Sequence, residues 1–447
     1  MSLTLIEKMS AFAGAEAIVF NGAVHEYGEL LRLVADWDAF LDEHEVRRGE
    51  VATIEGVSSP LACAGLIALA ARGAIVVPLT PLPEAKREEF LDVASVEVVI
   101  RVDDRGVRRC ERTGRTAAHE LYERLRASGG PGLVLFSSGT SGRSKASVLD
   151  FDAMLARYRD SGKAQRILSF LNLDHIGGIN TLLHTLSTGG TVVTVPERSP
   201  DTVFAAIAEH RVQVLPTTPT FLNMVLISRV HERYPTGSLE LITYGTEPMP
   251  EQTLQRLAAA LPQVRLKQTY GLSELGILPT RSKSNDSLWV KLGTAGFEHK
   301  IIDGVLWIRS EMAMLGYLNA PAPFDEDGFF NTQDQVEVDG DYVRILGRTS
   351  EIINVGGEKV YPSEVESVVL EVDNIAEATV AGRPSPVTGM VVKAVVRLHL
   401  DEDARAVARR VREHCLRRLE PFKVPAVVEV SARPQHSDRF KKIRNPA

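Results

Sequence analysis

Short apolar runs recur along most of this chain, separated by amphipathic stretches, and that alternation constrains the fold more than any other feature. Residues 51–54, 74–79, 96–100, 133–136, 191–195 and 212–215 read as buried strands. Between them lie helical patterns. Residues 201–210, behind the start signal Ser199-Pro200, place Val203, Ala206, Ile207 and His210 on one face, and residues 251–261 do the same with Leu254, Leu257 and Leu261. Strands alternating with helices imply an α/β fold whose sheet faces are covered by helices.

The rhythm changes near the end. Asp339-Gly340-Asp341 is a hairpin turn between strand-like residues 335–338 and 342–346. A helix follows from Pro362 through Glu364, Val365, Val368 and Val369, then strands at 376–380 and 390–398. A helix over 403–419 aligns Val407, Val411 and Cys415, and a strand at 426–430 leads into the tail Arg439-Phe440-Lys441-Lys442-Ile443-Arg444. The expectation is a large N-terminal α/β domain, residues 1–347, and a small C-terminal α+β domain, residues 350–447, meeting at Gly347–Ser350.

Composition narrows the class. With 51 Lys+Arg against 58 Asp+Glu, the formal charge of −7 provides no field for nucleic acid. Cys63, Cys110 and Cys415 are too few and too scattered for a disulfide framework or a metal cluster, which points to a reducing, cytoplasmic compartment. The first residues lack a basic leader, and the longest apolar run, 61–71, ends at Arg72, short of the ~20 residues of a membrane span. Nothing in the sequence specifies an oligomeric state.

Three segments carry candidate chemistry. The first is Phe136-Ser137-Ser138-Gly139-Thr140-Ser141-Gly142-Arg143-Ser144-Lys145, directly after a strand. Six of the seven residues from Ser137 to Arg143 are Ser, Thr or Gly, so backbone N–H groups and hydroxyls can approach a polyphosphate while Lys145 supplies a cation. It is not a Walker A loop, because Ser144 precedes the lysine. The second, Thr269-Tyr270-Gly271-Leu272-Ser273-Glu274, combines an aromatic that can stack on a base with a carboxylate suited to Mg²⁺. The third is Asp334 with Arg348 fourteen residues later, across the hairpin. A carboxylate can accept from both ribose hydroxyls, and a guanidinium can reach ribose or phosphate. Taken singly, these segments also fit a linker, a turn and a surface ion pair.

In this order they resemble the AMP-forming adenylating superfamily of acyl-CoA and aryl-CoA synthetases, adenylation domains and luciferases. Further matches extend nearly end to end: Tyr27-Gly28-Glu29-Leu30, the 73–79 segment, Leu173-Asp174-His175-Ile176-Gly177-Gly178, Tyr244-Gly245-Thr246-Glu247-Pro248, Gly316-Tyr317, Gly347-Arg348, Gly356-Gly357-Glu358-Lys359 and Pro362-Ser363-Glu364-Val365-Glu366. The resemblance implies an ATP-dependent ligase. A carboxylate attacks the α-phosphate of ATP to give an acyl-adenylate and pyrophosphate, and a thiol, usually that of coenzyme A, then displaces AMP. Such chemistry needs positioning and charge stabilisation rather than a protein nucleophile.

Residue roles follow from the resemblance alone. Ser137, Ser138, Gly139, Thr140, Ser141, Gly142 and Lys145 would hold phosphates, with Thr140 and Glu274 near Mg²⁺. Gly245, Thr246, Glu247 and Pro248 would face adenine. Thr269, Tyr270, Gly271, Ser273, Asp334 and Arg348 would complete the nucleotide site. Lys442 would be the tail lysine that reaches the carboxylate and α-phosphate, and with Lys145 and Glu274 it makes up the catalytic set. Ser350 would be the hinge of a mobile small domain, and Gly356 and Gly357 would meet coenzyme A. Around the acid, the resemblance places His175, Ile176, Tyr244, Gly245, Gly276 and Leu278, with Gly177, Gly178 and Gly276 leaving room. Ile176 stands where amino-acid-activating members carry an aspartate, and a buried ammonium without a partner is costly, so the expected acid is aryl or small to medium aliphatic.

The chain departs from the family pattern at Ser144-Lys145-Ala146 (usually Pro-Lys-Gly), at Thr332-Gln333-Asp334 (usually Thr-Gly-Asp), at Phe151 (commonly histidine) and at Lys441 (usually glycine). Transfer to a carrier-protein thiol, an amine or another small nucleophile stays open, as does a nucleotide-binding member impaired in turnover. A serine hydrolase is excluded for want of a Gly-x-Ser-x-Gly elbow. Arg405, Arg409, Arg410, Arg412, Arg417 and Arg418 spread around the last helix and read as its solvated face, with coenzyme A phosphates as the alternative.

Overall fold

The apolar runs assemble into two sheets with parallel centres, the arrangement that requires helices on both faces. The computed structural model describes residues 2–103, 105–138, 144–159, 162–293, 295–437 and 442–443. In the first sheet the strand order is Gly316–Tyr317, Ser144–Asp150, Gly132–Ser138, Ile75–Leu79, Val51–Glu55, Val98–Val102 and Arg108–Arg112. Every residue of Ile75–Leu79 is buried. One face packs Ala52, Ile54 and Val76 on Leu66 and Leu69 of Pro60–Arg72, while the other packs Val51, Ile75 and Val77 on Phe90 and Tyr122. The apolar run at 61–71 is therefore a core helix, started by the Ser59 hydroxyl accepting from the Ala62 N–H and ended by left-handed Gly73.

The second sheet runs Arg265–Gln268, Leu241–Tyr244, Val214–Thr217, Arg166–Leu168, Thr191–Val193, Glu16–Phe20 and Ala23–Glu26, parallel except for its terminal hairpin. Helices Pro200–Glu209, Pro219–Ser228 and Glu251–Ala260 share a core on one face, and Ile176–Ser187 covers the other.

Six strands within residues 280–348, Gly316–Tyr317 not among them, form a third, antiparallel sheet. Only its last hairpin was visible in the sequence, and the first strand of that hairpin, Phe330–Asp339, begins five residues earlier than the pattern suggested. Strands such as Phe297–Ile302, where only Phe297 is fully buried, lack a regular alternation, which hides them.

Beyond residue 350, Ile353–Val355, Glu358–Val360, Ile375–Ser385, Gly389–Leu398 and Val427–Val430 make a five-stranded sheet. It packs on Pro362–Val369 and Ala404–Leu416 around a separate core of Val365, Val369, Val380, Val407, Val411 and Cys415. Among the described residues, hydrogen bonds back to the larger part include Asn223 Nδ2 to the Ala376 carbonyl (2.9 Å), the Glu251 N–H to Ser367 Oγ (3.0 Å), and Ser363 Oγ to the Leu346 carbonyl (2.6 Å). Among the described residues no helix is long and apolar enough to cross a membrane.

Candidate active site

The strands on either side of the serine-glycine segment, Gly132–Ser138 and Ser144–Asp150, pair antiparallel. Ser137 faces Lys145 and Ser138 faces Ser144 across the ladder, whereas Gly139, Thr140, Ser141 and Gly142 lie outside the described residues. The returning strand is fixed by a residue the sequence reading missed. Asn319 accepts from the Ala146 N–H (3.1 Å) and donates to the Ser144 carbonyl (2.8 Å), acting as a one-residue neighbouring strand. The edge strand Gly316–Tyr317 continues that pairing and sets the Tyr317 ring 5.1 Å from the Lys145 ammonium, a cation–π contact.

Tyr317 also donates its hydroxyl to Glu274 Oε1 (2.7 Å). Burial, reinforced by the neighbouring carboxylate, raises the tyrosine's pKa, so it remains a donor at any physiological pH. Glu274 is itself buried, and among the described residues its other oxygen is not hydrogen-bonded.

Asp334 is held in parallel fashion. Tyr270 donates its hydroxyl to Asp334 Oδ2 (2.5 Å), and Arg348 Nε lies 3.5 Å from Oδ1. The Tyr270 ring is buried in the first core, so this side chain serves to orient the carboxylate. Burial raises the Asp334 pKa, opposed by the Arg348 charge and the Tyr270 hydroxyl. Burial likewise disfavours the Arg348 cation, but Asp334 and Glu274 outweigh it and raise its pKa. Ser137, Lys145, Glu274, Thr332, Gln333 and Arg348 line one cleft.

The proposed adenine loop abuts this region. Thr269 donates its N–H (2.8 Å) and its hydroxyl (3.1 Å) to the Tyr244 carbonyl. A Cβ on Gly245 would lie 2.7 Å from Thr269 Oγ1, so only glycine permits that approach. Thr246 follows with φ +73, an unusual conformation for a β-branched residue. Gly271 pairs with Ile277 in a short ladder, and Ser273 lies in its turn.

Lys442 does not line that cleft. Its Nζ pairs with Glu366 (2.7 Å), a carboxylate 1% exposed that also accepts from the Val380 N–H (3.0 Å). The Lys442 N–H donates to Glu247 Oε2 (3.1 Å), and Glu247 Oε1 accepts from the Thr220 N–H (2.7 Å). The tail lysine thus bridges Glu366 and Glu247.

The residues expected around the acid fall into two groups. His175 caps the helix Ile176–Ser187, Nδ1 accepting from the Gly177 N–H (3.0 Å). Ile176 and Leu278 are buried together in the first core, whereas Tyr244 is buried in the second core with Phe170 and Phe221. Gly177 and Gly178 do not open space. A Cβ at 178 would sit 1.9 Å from the Asn172 carbonyl oxygen and one at 177 would sit 2.5 Å from Leu171 Cδ1, so these glycines serve close packing. Gly276, with φ +77, faces Met312, whose Cε would be 3.0 Å from an added Cβ.

Ser350 lies in the 3-10 turn Thr349–Glu351 directly after strand Tyr342–Arg348. Gly356 and Gly357, with φ +63 and +99, form the turn between Ile353–Val355 and Glu358–Val360. In the last helix, Arg410 pairs with Glu402, Arg412 caps the Pro425 and Ala426 carbonyls, and Arg418 pairs with Glu371.

A buried carboxylate, Glu274, thus shares one cleft with Lys145, beside a second carboxylate–arginine pair, Asp334 and Arg348. Residues 6–318 match the AMP-binding enzyme family and residues 364–437 match the AMP-binding enzyme C-terminal domain. The chain belongs to the AMP-binding enzyme family. It is similar to the indoleacetate–CoA ligase of Aromatoleum aromaticum, 32% identical over 293 residues, covering 60% of this chain and 57% of that protein. A 3-[(3aS,4S,7aS)-7a-methyl-1,5-dioxo-octahydro-1H-inden-4-yl]propanoyl:CoA ligase of Mycobacterium tuberculosis is 31% identical over 315 residues, 66% of this chain and 61% of that protein. The aligned stretches thus span less than two thirds of either relative. In fold, the chain resembles the anthranilate CoA ligase AuaEII in complex with anthranoyl-AMP, with a TM-score of 0.80 at 18% identity, covering 98% of this chain and 95% of that one. ATP-bound MatB from Rhodopseudomonas palustris gives a TM-score of 0.79 at 22% identity, covering 98% and 96%.

Proposed function

We propose that the chain activates a carboxylic acid with ATP, forming an acyl-adenylate, and transfers the acyl group to coenzyme A. The observation that carries this reading is the convergence of Lys145, Glu274, Asp334 and Arg348, from three separated stretches of sequence, on one cleft and its wall. Lys145 and the serine-glycine segment before it hold phosphates, Asp334 takes the ribose hydroxyls, and Arg348 spans the two. A single hard carboxylate with one oxygen held by Tyr317 fits Mg²⁺ arriving on a nucleotide, since that ion takes one or two carboxylates plus phosphate oxygens. Bound there, it would offset phosphate charge.

Residues 350–447 act as a small domain turning about Ser350. Lys442 leaves Glu366 to reach the α-phosphate in the first half-reaction, and Gly356 and Gly357 meet coenzyme A in the second. A hinge only has to absorb a backbone rotation, for which serine in a short turn suffices. The acid is aryl or small to medium aliphatic: Ile176 provides no carboxylate for an α-ammonium, and relatives named for indoleacetate and for a propanoyl-bearing bicycle support a bulky apolar acid.

ATP–pyrophosphate exchange across a panel of aryl and aliphatic acids tests the reading, with exchange expected for at least one acid. ATP binding with no exchange for any acid would favour an impaired nucleotide-binding protein. Product analysis with and without coenzyme A then separates a thioester from transfer to another acceptor.

A further inference from the structure

Gln333 sits between Thr332 and Asp334 with φ +61, in the left-handed region where glycine is at ease and a longer side chain is not. Its surroundings impose that conformation. The Gln333 N–H donates to Asn331 Oδ1 (2.9 Å), and its carbonyl accepts from Thr349 Oγ1 (2.7 Å). A non-glycine residue held this way beside a ligand site is grounds for seeking a task for its side chain. That side chain is half-buried and lines the cleft with Lys145, Glu274 and Arg348. Among the described residues, none hydrogen-bonds its amide group.

We propose that Gln333 is an additional nucleotide-binding residue, its Nε2 donating to a phosphate oxygen of the nucleotide in this cleft. The inference rests on the nucleotide reading above. Two cations on the same lining mark where anionic oxygens go, and a neutral amide adds a donor there without repelling Glu274. A hydrogen bond to a charged partner is among the stronger ones, and it offsets the cost of the backbone conformation. Thr349, which holds the Gln333 carbonyl, opens the turn containing Ser350, so the contact also ties bound phosphate to that turn.

Calorimetric titration of the full chain with ATP, AMP and adenosine tests this. Gln333→Gly should weaken ATP and AMP binding about tenfold and leave adenosine unchanged. Its thermal midpoint should not fall, because glycine suits the left-handed position. Gln333→Glu should weaken ATP further than Gln333→Gly, because its carboxylate faces the phosphates. Unchanged ATP affinity in Gln333→Gly, or an equal loss for adenosine, overturns the phosphate contact. A midpoint lowered by several degrees makes the residue structural and also overturns it. The underlying reading fails separately: Asp334→Ala would then bind adenosine as well as the parent does.

Discussion

Two pairs of carboxylates face opposite tasks in this molecule. In the cleft, Glu274 and Asp334 each accept a tyrosine hydroxyl, from Tyr317 and Tyr270. Beside the tail, Glu366 and Glu247 each accept a backbone N–H and also hold Lys442, one by its ammonium and the other by its N–H. A hydroxyl fixes a carboxylate's direction without cancelling its charge, whereas an ammonium cancels it. The cleft pair is thus oriented by hydroxyls, with Arg348 as the one cation against Asp334 among the described residues. The tail pair is already satisfied, and Lys442 must be released before it can act elsewhere.

The largest effect should come from removing the cation that the tail pair holds. Lys442→Ala should lower ATP–pyrophosphate exchange by about 10²-fold or more, the scale seen when one transition-state donor is lost. Thioester formation from supplied acyl-adenylate should be largely retained. If both half-reactions fall equally, Lys442 is not specific to the first. In the cleft, Asp334→Ala should raise the ATP dissociation constant about ten- to hundredfold, as expected for losing hydrogen bonds to a charged acceptor. An unchanged constant would remove the ribose role.

Tyr317→Phe sharpens the contrast, because it keeps the ring under Lys145 and deletes only the hydroxyl that aims Glu274. An ordinary hydrogen bond contributes about 1 kcal/mol, so exchange should slow roughly fivefold, with the Mg²⁺ concentration needed for half-maximal rate rising in step. A rate loss with no change in magnesium dependence would separate Tyr317 from the metal.

How much of this was legible in the sequence depends on range. Pro60–Arg72, with its serine start and glycine stop, and the parallel strands were readable because local pattern and burial agree there. Asp334 and Arg348 were readable as flanking a hairpin, but their facing position was not. Asp339 pairs with Tyr342, a register that would set Asp334 opposite Gly347, and a bulge between Gln335 and Val336 moves Arg348 into place. Asn319, Tyr317 and Glu366 escaped notice as site residues. Each acts on a partner more than forty positions away, 175 residues for Asn319 and Ser144 and 76 for Glu366 and Lys442, and no local period records such a contact. Tyr270 was seen as an aromatic for stacking, yet its buried ring and bonded hydroxyl make it a support for Asp334.

The smallest expected effect probes the tail pair while leaving Lys442 in place. Glu366→Gln keeps the side chain's size and an oxygen for the Val380 N–H, but removes the charge that holds the ammonium. Lys442 should then spend more time off its partner. Its acetylation by an amine-reactive reagent, followed by peptide mass mapping, should speed up a few fold relative to exposed Lys359 in the same sample. Exchange should rise by a similar or smaller factor, because release of the lysine is only one step toward the phosphate. An unchanged labelling ratio would mean that the Glu247 contact alone holds the tail, leaving the Glu366 pair without a part in keeping Lys442 from the cleft.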